Sequence, residues 1–368
     1  MMCKKGSQPA VKKSFLMFLV VCLASLPFLA TVLKHSFQPV VPKSIRKIPV
    51  PQAVQIRNPI FKKSCYNYAN ITATNVCCKM KRYHFSDVQK CVQTFSATRN
   101  YRKPLYSPQH VNSSSKEIIH IVFVGDSHMR YLFAAVSLRL ASPKLRFRNR
   151  KEKKWMNGVR ALKRMRSKRF LITILETKHL SLPIRVTYYA DFFLEGLPHL
   201  MDLWEKGEEI KPTVVVMDSG LHFMTKRPDK KAIPYEESLK YLVPYFTRLA
   251  ATVPVYYKLT DDLQAARIKK ANMSQTLTKL YNEIAVRELQ GTGVTLWDST
   301  LPLSVQYNDA CVNMNKNTPP MFNWKCSDLS HLGYIVVEQF ADMVYNAVCN
   351  KYLELDEDHC AQEETPRL

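Results

Sequence analysis

Three residue types that together activate a nucleophile lie at opposite ends of the chain's main apolar region. Ser127 follows the run "IIHIVFV" within Gly-Asp-Ser-His, and Asp328 and His331 lie three residues apart in "CSDLSHLGY". A serine hydroxyl needs a base to become a nucleophile, and a carboxylate on the other ring nitrogen orients that base. We therefore predict Ser127 as nucleophile, His331 as base and Asp328 as its orienting acid. The structural alternatives are an ordinary turn at Gly-Asp-Ser, and an N-cap at Asp328 or Ser330 beside a surface histidine.

The pattern around Ser127 predicts a buried strand that passes directly into a helix. Residues 118–125 form a continuous apolar run, and residues 129–141 place large apolar side chains on one helical face. Functional groups of an open α/β sheet gather at the carboxyl ends of strands, where loops meet helix N-termini. The free N–H groups of such a helix can stabilise an oxyanion near Ser127.

Further strands and helices alternate along the chain. Residues 169–177 and 184–193 predict two strands of a hairpin, and three more apolar runs predict strands at 212–220, 253–260 and 293–300. Helical patterns cover 235–251, interrupted by Pro244, then 262–289 and 332–349. Strands separated by helices in this way predict an α/β fold with a mostly parallel central sheet covered on both faces.

The N-terminus predicts a membrane anchor. Four lysines precede residues 15–33, which carry no charge over 19 positions. As a helix this run would span about 28 Å, close to the thickness of a bilayer's hydrocarbon core. A cleaved signal peptide is the alternative, although its apolar region is usually shorter. Basic residues before the span place residues 1–14 in the cytosol and the remainder in a lumenal or extracellular compartment. We therefore expect a single-pass type II protein of the secretory pathway.

Differences in composition after residue 33 predict four consecutive regions in the lumenal part. Residues 34–60 are proline-rich and predict an extended stem, and residues 61–115 predict a small cysteine-rich subdomain. The catalytic domain is predicted at 116–355, followed by a tail at 356–368.

Cysteine usage agrees with an oxidising compartment. Apart from Cys3 and Cys22, the chain has an even number of cysteines, which favours disulfides, whereas the scattered histidines argue against a zinc site. Spacing predicts pairing within two clusters, 65–91 and 311–360. Three Asn-x-Ser/Thr sequons, at 70, 112 and 272, permit glycosylation there. The eight cysteines outside the N-terminal region are Cys65, Cys77, Cys78, Cys91, Cys311, Cys326, Cys349 and Cys360.

The motifs "VFVGDSHMR" and "SDLSH" resemble blocks I and V of the SGNH/GDSL acyl-ester hydrolase superfamily. They are most similar to its branch of PC-esterase, plant trichome-birefringence-like and sialate O-acetyltransferase (Cas1p-like) proteins. That branch shares Gly-Asp-Ser-x-x-Arg, matched through Arg130, and a C-terminal Asp-x-x-His. The resemblance spans roughly 65–355 and implies an SGNH-like three-layer sandwich, a Golgi location and O-acyl transfer. It assigns the three catalytic roles to the same residues, Ser127, His331 and Asp328.

The resemblance also implies residues that bind the oxyanion or the substrate. The usual third block, Gly-x-Asn-Asp, is absent, and "DSGLHF" stands in its expected place. The likeness therefore assigns Gly220 as an oxyanion donor and His222 as an oxyanion or substrate contact. An ordinary strand-end histidine is the alternative at 222. The second block is represented by Gly196 alone. No metal and no bound cofactor are predicted.

A basic segment lies within the predicted catalytic domain. Residues 139–169 contain fourteen Lys and Arg against the single acid Glu152. Such a run is either a solvated face or a surface for an anionic partner, which in the lumen means an acidic glycan or protein. Trp155 is expected to stack on a sugar or to fill the core. With a formal charge of +24, nucleic acid would be a partner of a cytosolic chain, but the predicted anchor excludes it.

Two function classes follow. The first is a lumenal serine O-acetyltransferase or O-acetyl esterase of secretory glycans or glycoconjugates, with membrane contact through 15–33 and acetyl-CoA as a candidate donor for transfer. The second is a glycan-binding protein that keeps the fold without turnover, which the altered third block favours. The complete set of Ser127, Asp328 and His331 favours the enzyme.

Overall fold

The computed structural model describes eight stretches of the chain, all within the compact unit Ala53–Leu368. The predicted cytosolic tail, anchor, stem and C-terminal tail lie outside these stretches. Within the described ranges, no helix combines the length and apolar character that crossing a membrane requires. The described residues are 66–67, 74–75, 81–100, 118–152, 154–165, 174–264, 273–313 and 324–353.

Ten strands are described, of which eight form one mixed sheet. The order across the sheet is β10-β9-β8-β3-β7-β6-β4-β5, and the first five strands of this order run parallel. The predicted hairpin is confirmed, since β6 and β7 pair antiparallel. The strands are β1 (Tyr66–Asn67) and β2 (Thr74–Asn75), which pair with each other, then β3 (Ile119–Gly125), β4 (Leu145–Asn149), β5 (Met156–Asn157), β6 (Ile174–His179), β7 (Ile184–Ala190), β8 (Val214–Met217), β9 (Val255–Lys258) and β10 (Thr295–Trp297).

Nine α-helices are described, and they cover both faces of the sheet. Alternate residues of β3 enter two different cores, with Ile121 and Phe123 in one and Val122 and Val124 in the other. This alternation is the period-two geometry of a strand buried on both faces, so the three-layer α/β prediction is confirmed. The helices are α1 (Phe85–Asn100), α2 (Ser127–Leu138), α3 (Gly158–Met165), α4 (Leu197–Lys206), α5 (Leu221–Lys226), α6 (Ile233–Ala250), α7 (Gln275–Leu289), α8 (Thr300–Asn313) and α9 (Tyr334–Cys349).

Two predicted helices differ in extent. Pro244 does not interrupt α6, which is continuous from Ile233 to Ala250. Burial of Leu239, Leu242 and Phe246 along one face offsets the backbone hydrogen bond that the exposed proline cannot make. The helix predicted at 262–289 begins at Gln275, where the Ser274 hydroxyl caps it by accepting from the Leu277 N–H.

The basic segment 139–169 contains two strands and a helix that its sequence pattern did not predict. Residues 145–149 form β4, with Leu145, Phe147 and Asn149 buried and the arginines between them only partly so. Each apolar residue alternates with an arginine, which is the pattern of a half-buried strand. The strand β5 and the helix α3 follow within the same segment.

One of the two described disulfides joins the two predicted cysteine clusters, and the other lies within one of them. Cys91 of α1 pairs with Cys349 at the end of α9, so the predictions that Cys91 pairs within 65–91 and Cys349 within 311–360 are wrong. Cys311 pairs with Cys326, inside its predicted cluster. The physical reason is that α1 packs against α9 through Val88, Val92 and Phe95, which belong to the main core. The remaining cysteines lie outside the described residues.

Candidate active site

Ser127, His331 and Asp328 form a hydrogen-bonded chain. The Ser127 hydroxyl lies 2.7 Å from His331 Nε2, and His331 Nδ1 lies 3.0 Å from both carboxylate oxygens of Asp328. Burial opposes ionisation of Asp328, but hydrogen bonds from the His331 ring and from two backbone N–H groups outweigh it. The pKa of Asp328 is therefore well below its usual value, and the carboxylate stays ionised beside the imidazole.

Two packed helices bring these distant residues together. Ser127 is the first residue of α2, directly after the central strand β3, while His331 lies three residues before α9. The helices α2 and α9 pack together, and the Tyr345 hydroxyl donates to the Val136 carbonyl at 2.9 Å. Gly333 is the N-cap of α9, so Asp328 and Ser330 do not serve as its cap. The Asp328 carboxylate is instead committed to the loop that carries His331.

The fold itself requires a glycine at 125 and a helix-capping residue at 126, the two positions before Ser127. Gly125 has φ +149°, and a Cβ there would overlap Asp218 Oδ1 and lie 2.8 Å from Met129 Cγ. Asp126 is the N-cap of α2, and its Oδ1 accepts from the His128 N–H at 2.8 Å. Only glycine fits the turn, and the aspartate begins the helix whose first residue is the serine.

A cluster of buried charged side chains lies beside the hydrogen bond between Ser127 and His331. His128 Nδ1 is 3.1 Å from Asp261 Oδ2, and Asp261 Oδ1 is 2.5 Å from Lys258 Nζ. The His128 ring centroid is 5.3 Å from that of His331. Burial opposes charge on His128, but the carboxylates of Asp126 and Asp261 outweigh it and raise its pKa to about 9. These carboxylates therefore favour the protonated form of the ring.

Asp218 belongs to the same cluster. Its Oδ1 accepts from the Asp126 N–H at 3.3 Å. Burial, together with the neighbouring Asp126 carboxylate, raises the pKa of Asp218 to about 8. The sequence interpretation did not include His128, Asp218, Lys258 or Asp261. Asp218 and Asp261 follow β8 and β9, so position at strand ends was the signal that could have found them.

His222 lies at the edge of the site on α5. Its ring stacks on Phe192 with centroids 4.1 Å apart, and its Nε2 is 4.0 Å from Asp126 Oδ2. Its Nδ1 is buried and makes no hydrogen bond within the described part of the chain. Burial lowers the pKa of His222, so the ring is neutral at pH 7 and carries one N–H. It is a helix residue beside the site rather than a strand-end histidine.

The other predicted contacts have different surroundings. Gly220 precedes α5 at φ +135°, and a Cβ there would lie 2.8 Å from Thr260 Oγ1. Gly196 donates its N–H to Asp191 Oδ2 at 2.8 Å, so this N–H is engaged and we do not assign it to an oxyanion. The backbone N–H of Arg130 donates to the Asp126 carbonyl, and its guanidinium lies 5.5 Å from the Tyr131 ring centroid.

Aromatic side chains flank the site on two sides. Tyr131 lies 5.1 Å from His331 between ring centroids, and Lys325 Nζ lies 4.1 Å from the Tyr131 centroid. On the His222 side, the Arg227 guanidinium lies 4.1 Å from the Phe193 centroid. Partly buried rings of this kind suit the apolar faces of sugar rings, and the cations beside them suit polar or acidic substituents.

Arg148 in β4 and Arg150 directly after it form ion pairs within the protein, which limits their contact with a ligand. Arg148 pairs with Glu176, a side chain without solvent exposure, and Arg150 pairs with both Glu176 and Glu209. Trp155 lies under two cations, with Arg148 Cζ 4.7 Å and Lys178 Nζ 4.4 Å from its ring centroid. It therefore packs in a cation–π stack of the protein itself. The exposed charges of the segment are on α3 and the adjoining turns.

No protein-family model matches the sequence, and no curated protein sequence does. Among solved structures, the chain is similar to the acetyl xylan esterase AlAXEase at 14% identity, with 62% of this chain and 100% of that chain covered and a TM-score of 0.38. It is also similar to a putative GDSL-like lipase from Parabacteroides merdae, at 15% identity, 63% and 96% coverage and a TM-score of 0.36. For an acetylxylan esterase from Geobacillus stearothermophilus the values are 13%, 65%, 98% and 0.35. At these values the likeness carries no argument about activity.

Proposed function

We propose that this protein is a serine acyl-transfer enzyme of the SGNH superfamily, acting as an O-acetyl esterase or O-acetyltransferase on glycans. The observation that carries the proposal is the 2.7 Å contact between Ser127 Oγ and His331 Nε2, with Asp328 on the opposite ring nitrogen. A helix cap and a surface histidine do not require that contact. The SGNH assignment, and its PC-esterase branch, rest on the sequence motifs around these residues.

The first half-reaction follows from the geometry. His331 Nε2 takes the proton of the Ser127 hydroxyl as Oγ attacks the ester carbonyl, and Asp328 stabilises the imidazolium that forms. The tetrahedral intermediate collapses, the ester C–O bond breaks, and His331 returns the proton to the leaving oxygen. An acyl group remains on Ser127. In the second half-reaction, water or a sugar hydroxyl gives its proton to His331 and attacks the acyl carbon, the bond to Ser127 Oγ breaks, and His331 returns the proton to Oγ.

We assign the oxyanion to the start of α2 and to His222. The first N–H groups of a helix have no partner within the helix, and that of Ser127 lies at the nucleophile itself. His222 occupies the place of the family's missing asparagine, is neutral, and has a buried ring nitrogen without a hydrogen bond in the described residues. Loss of one such donor slows an acyl transfer by about 100-fold or more. Gly220 shapes the turn before His222.

The substrate and location remain those inferred from the sequence. The flanking rings of Tyr131 and Phe193 suit a glycan, and the exposed cations of 151–165 suit an acidic one. We place the catalytic domain in the lumen of the Golgi or another secretory compartment, behind an anchor at 15–33. Transfer would take an activated acetyl donor such as acetyl-CoA. A glycan-binding protein without turnover is the second candidate, favoured by the absent asparagine.

Active-site labelling tests the proposal. We expect a fluorophosphonate to label the full-length wild-type chain. Ser127→Ala and His331→Ala should abolish this labelling and should each lower the rate of p-nitrophenyl acetate hydrolysis by about 10,000-fold. Ser330→Ala is the matched control, because it removes a hydroxyl from the same loop without touching the chain of Ser127, His331 and Asp328. A folded wild-type chain that does not label would support the glycan-binding alternative instead.

A further inference from the structure

Three potential metal ligands meet beside the nucleophile. Asp126, His128 and Asp218 each offer one ligand atom, and these atoms lie within 4.8 Å of one another. They come from the loop after β3, the first turn of α2 and the loop after β8. We propose that these three residues form a divalent-cation site next to Ser127. The proposal is independent of the acyl-transfer function and replaces the sequence prediction that the protein has no metal.

Each ligand is held by a hydrogen bond through its other polar atom. Asp126 Oδ1 accepts from the His128 N–H, Asp218 Oδ1 accepts from the Asp126 N–H, and His128 Nδ1 bonds Asp261. One oxygen of each carboxylate and the Nε2 of His128 remain for an ion. A carboxylate on the far nitrogen of a ligating histidine is the usual outer shell of protein metal sites, because it fixes the ring and its tautomer.

His128 supplies an independent sign that a ligand is expected. Its side chain is only 8% exposed, and its Nε2 is buried without a hydrogen-bond partner in the described residues. A buried ring nitrogen without a partner costs about 1–3 kcal/mol relative to a satisfied one. A divalent ion that displaces the proton from Nε2 would satisfy it.

The neighbouring carboxylates also need positive charge. Asp126 and Asp218 are both buried, and two adjacent carboxylates repel each other unless a cation or a proton lies between them. The Lys258 ammonium is committed to Asp261 and the Leu259 carbonyl, so this charge comes either from a proton held within the cluster or from a bound ion. A divalent ion would neutralise the pair directly.

The donor set selects the kind of ion. Two carboxylates and one imidazole suit Mn²⁺ or Zn²⁺ better than Ca²⁺, which prefers six or more oxygen ligands. Three protein ligands leave further coordination positions for water. Because Asp126 caps α2 and Asp218 packs against Gly125, an ion at this point would fix the turn that presents Ser127.

Metal binding is tested on chelator-treated full-length protein. We expect isothermal titration with MnCl₂ or ZnCl₂ to give one ion per chain, and saturation to raise the Tm. Asp218→Asn should weaken binding by at least 100-fold while keeping nearly the same side-chain volume, and His128→Gln should do the same. Asp328→Asn is the matched control, since it removes a carboxylate from the neighbouring loop and leaves all three ligands.

The outcomes separate this site from the catalytic proposal. Binding in wild type and Asp328→Asn, with loss in Asp218→Asn and His128→Gln, supports the site even if no variant hydrolyses an ester. A wild-type chain that binds neither ion at 100-fold excess overturns it and leaves a shared proton between the carboxylates. Equal binding by wild type and by folded Asp218→Asn, with folding checked by circular dichroism, also overturns it. If neither ligand variant folds, the wild-type stoichiometry and Tm shift decide.

Discussion

At the scale of single residues, the Gly-Asp-Ser motif combines three separate requirements. Gly125 provides a positive φ and leaves room for the Asp218 carboxylate, Asp126 caps the helix, and Ser127 carries the hydroxyl that reaches His331. These three residue types therefore occur together because the end of β3, the start of α2 and the proposed nucleophile share one turn. An ordinary turn would need none of these long-range contacts.

Replacing Gly125 tests this interpretation. We expect Gly125→Ala to lower the free energy of unfolding by at least about 3 kcal/mol, because the methyl group adds backbone strain and overlaps a buried carboxylate. Gly207→Ala is the control, since Gly207 also has positive φ, at +73°, but a Cβ at this position would have no neighbouring atom within 4 Å. Its change should be about 1 kcal/mol. Equal losses in urea denaturation would show that the Asp218 contact is unimportant.

The sequence could predict that Ser127, Asp328 and His331 meet, because the first follows a strand, the other two precede the last helix, and both motifs resemble SGNH blocks. It could not predict that Asp218, Asp261 and Lys258 join them. Those residues meet only because β9, β8 and β3 are neighbours, and strand order is not encoded in any local pattern. His128 was hidden for the same reason, since its partner lies 133 residues away.

At the scale of elements, the apolar periodicity predicted the central strands and the last helix. It did not predict the elements within the basic segment. The strand β4 and the helix α3 lie in a run of Lys and Arg, and only the alternation of Leu145 and Phe147 with arginines indicates a strand there. The position of His331, the proposed base, depends on how α9 packs against α2. An ion pair between Arg139 and Asp342, at 2.9 Å, joins these two helices.

Asp342 makes stability depend on pH. Burial raises its pKa to about 6, although Arg139 and the Tyr83 N–H oppose this. Because the unfolded chain has the ordinary value near 4, the native state binds the proton more tightly between pH 4 and 6. Stability from this group is therefore complete below pH 4 and is lost as the pH rises through 6, by on the order of 3 kcal/mol.

Asp342→Asn should remove that dependence. The unfolding free energy of the variant minus that of wild type is expected to rise between pH 4 and pH 7 in urea titrations, by about the same 3 kcal/mol. Asp202→Asn, at an exposed carboxylate on α4, is the control and should show no such trend. A difference that stays constant across this range for Asp342→Asn would contradict the assignment.

At the scale of the whole molecule, the high positive charge has to be explained together with the secretory compartment that we propose. The formal charge of +24 is unusual for a chain that we place outside the cytosol, and part of the basic segment is neutralised internally by Glu176 and Glu209. We propose the exposed remainder on α3 as the surface for an acidic glycan. Both described disulfides suit an oxidising compartment.

Membrane topology is the matching prediction. In sealed microsomes containing the full chain, we expect externally added protease to remove only the first 14 residues and to leave residues after 33 intact. Detergent should then expose the catalytic domain to digestion, which controls for protease activity. Digestion of the C-terminal part without detergent would contradict the type II orientation and return nucleic acid to the set of partners.

The bond between Cys91 and Cys349 constrains the order in which this protein can mature. Its two sulfurs are separated by 258 positions, so the first thiol is synthesised long before its partner leaves the ribosome. During that interval α1 has no final docking site, because α9 has not yet been made. His331 precedes Cys349 by only 18 positions, so it too is synthesised long after Cys91. Closure of the Cys91–Cys349 bond and docking of His331 beside Ser127 therefore become possible at nearly the same time, and a chain truncated before His331 would acquire neither.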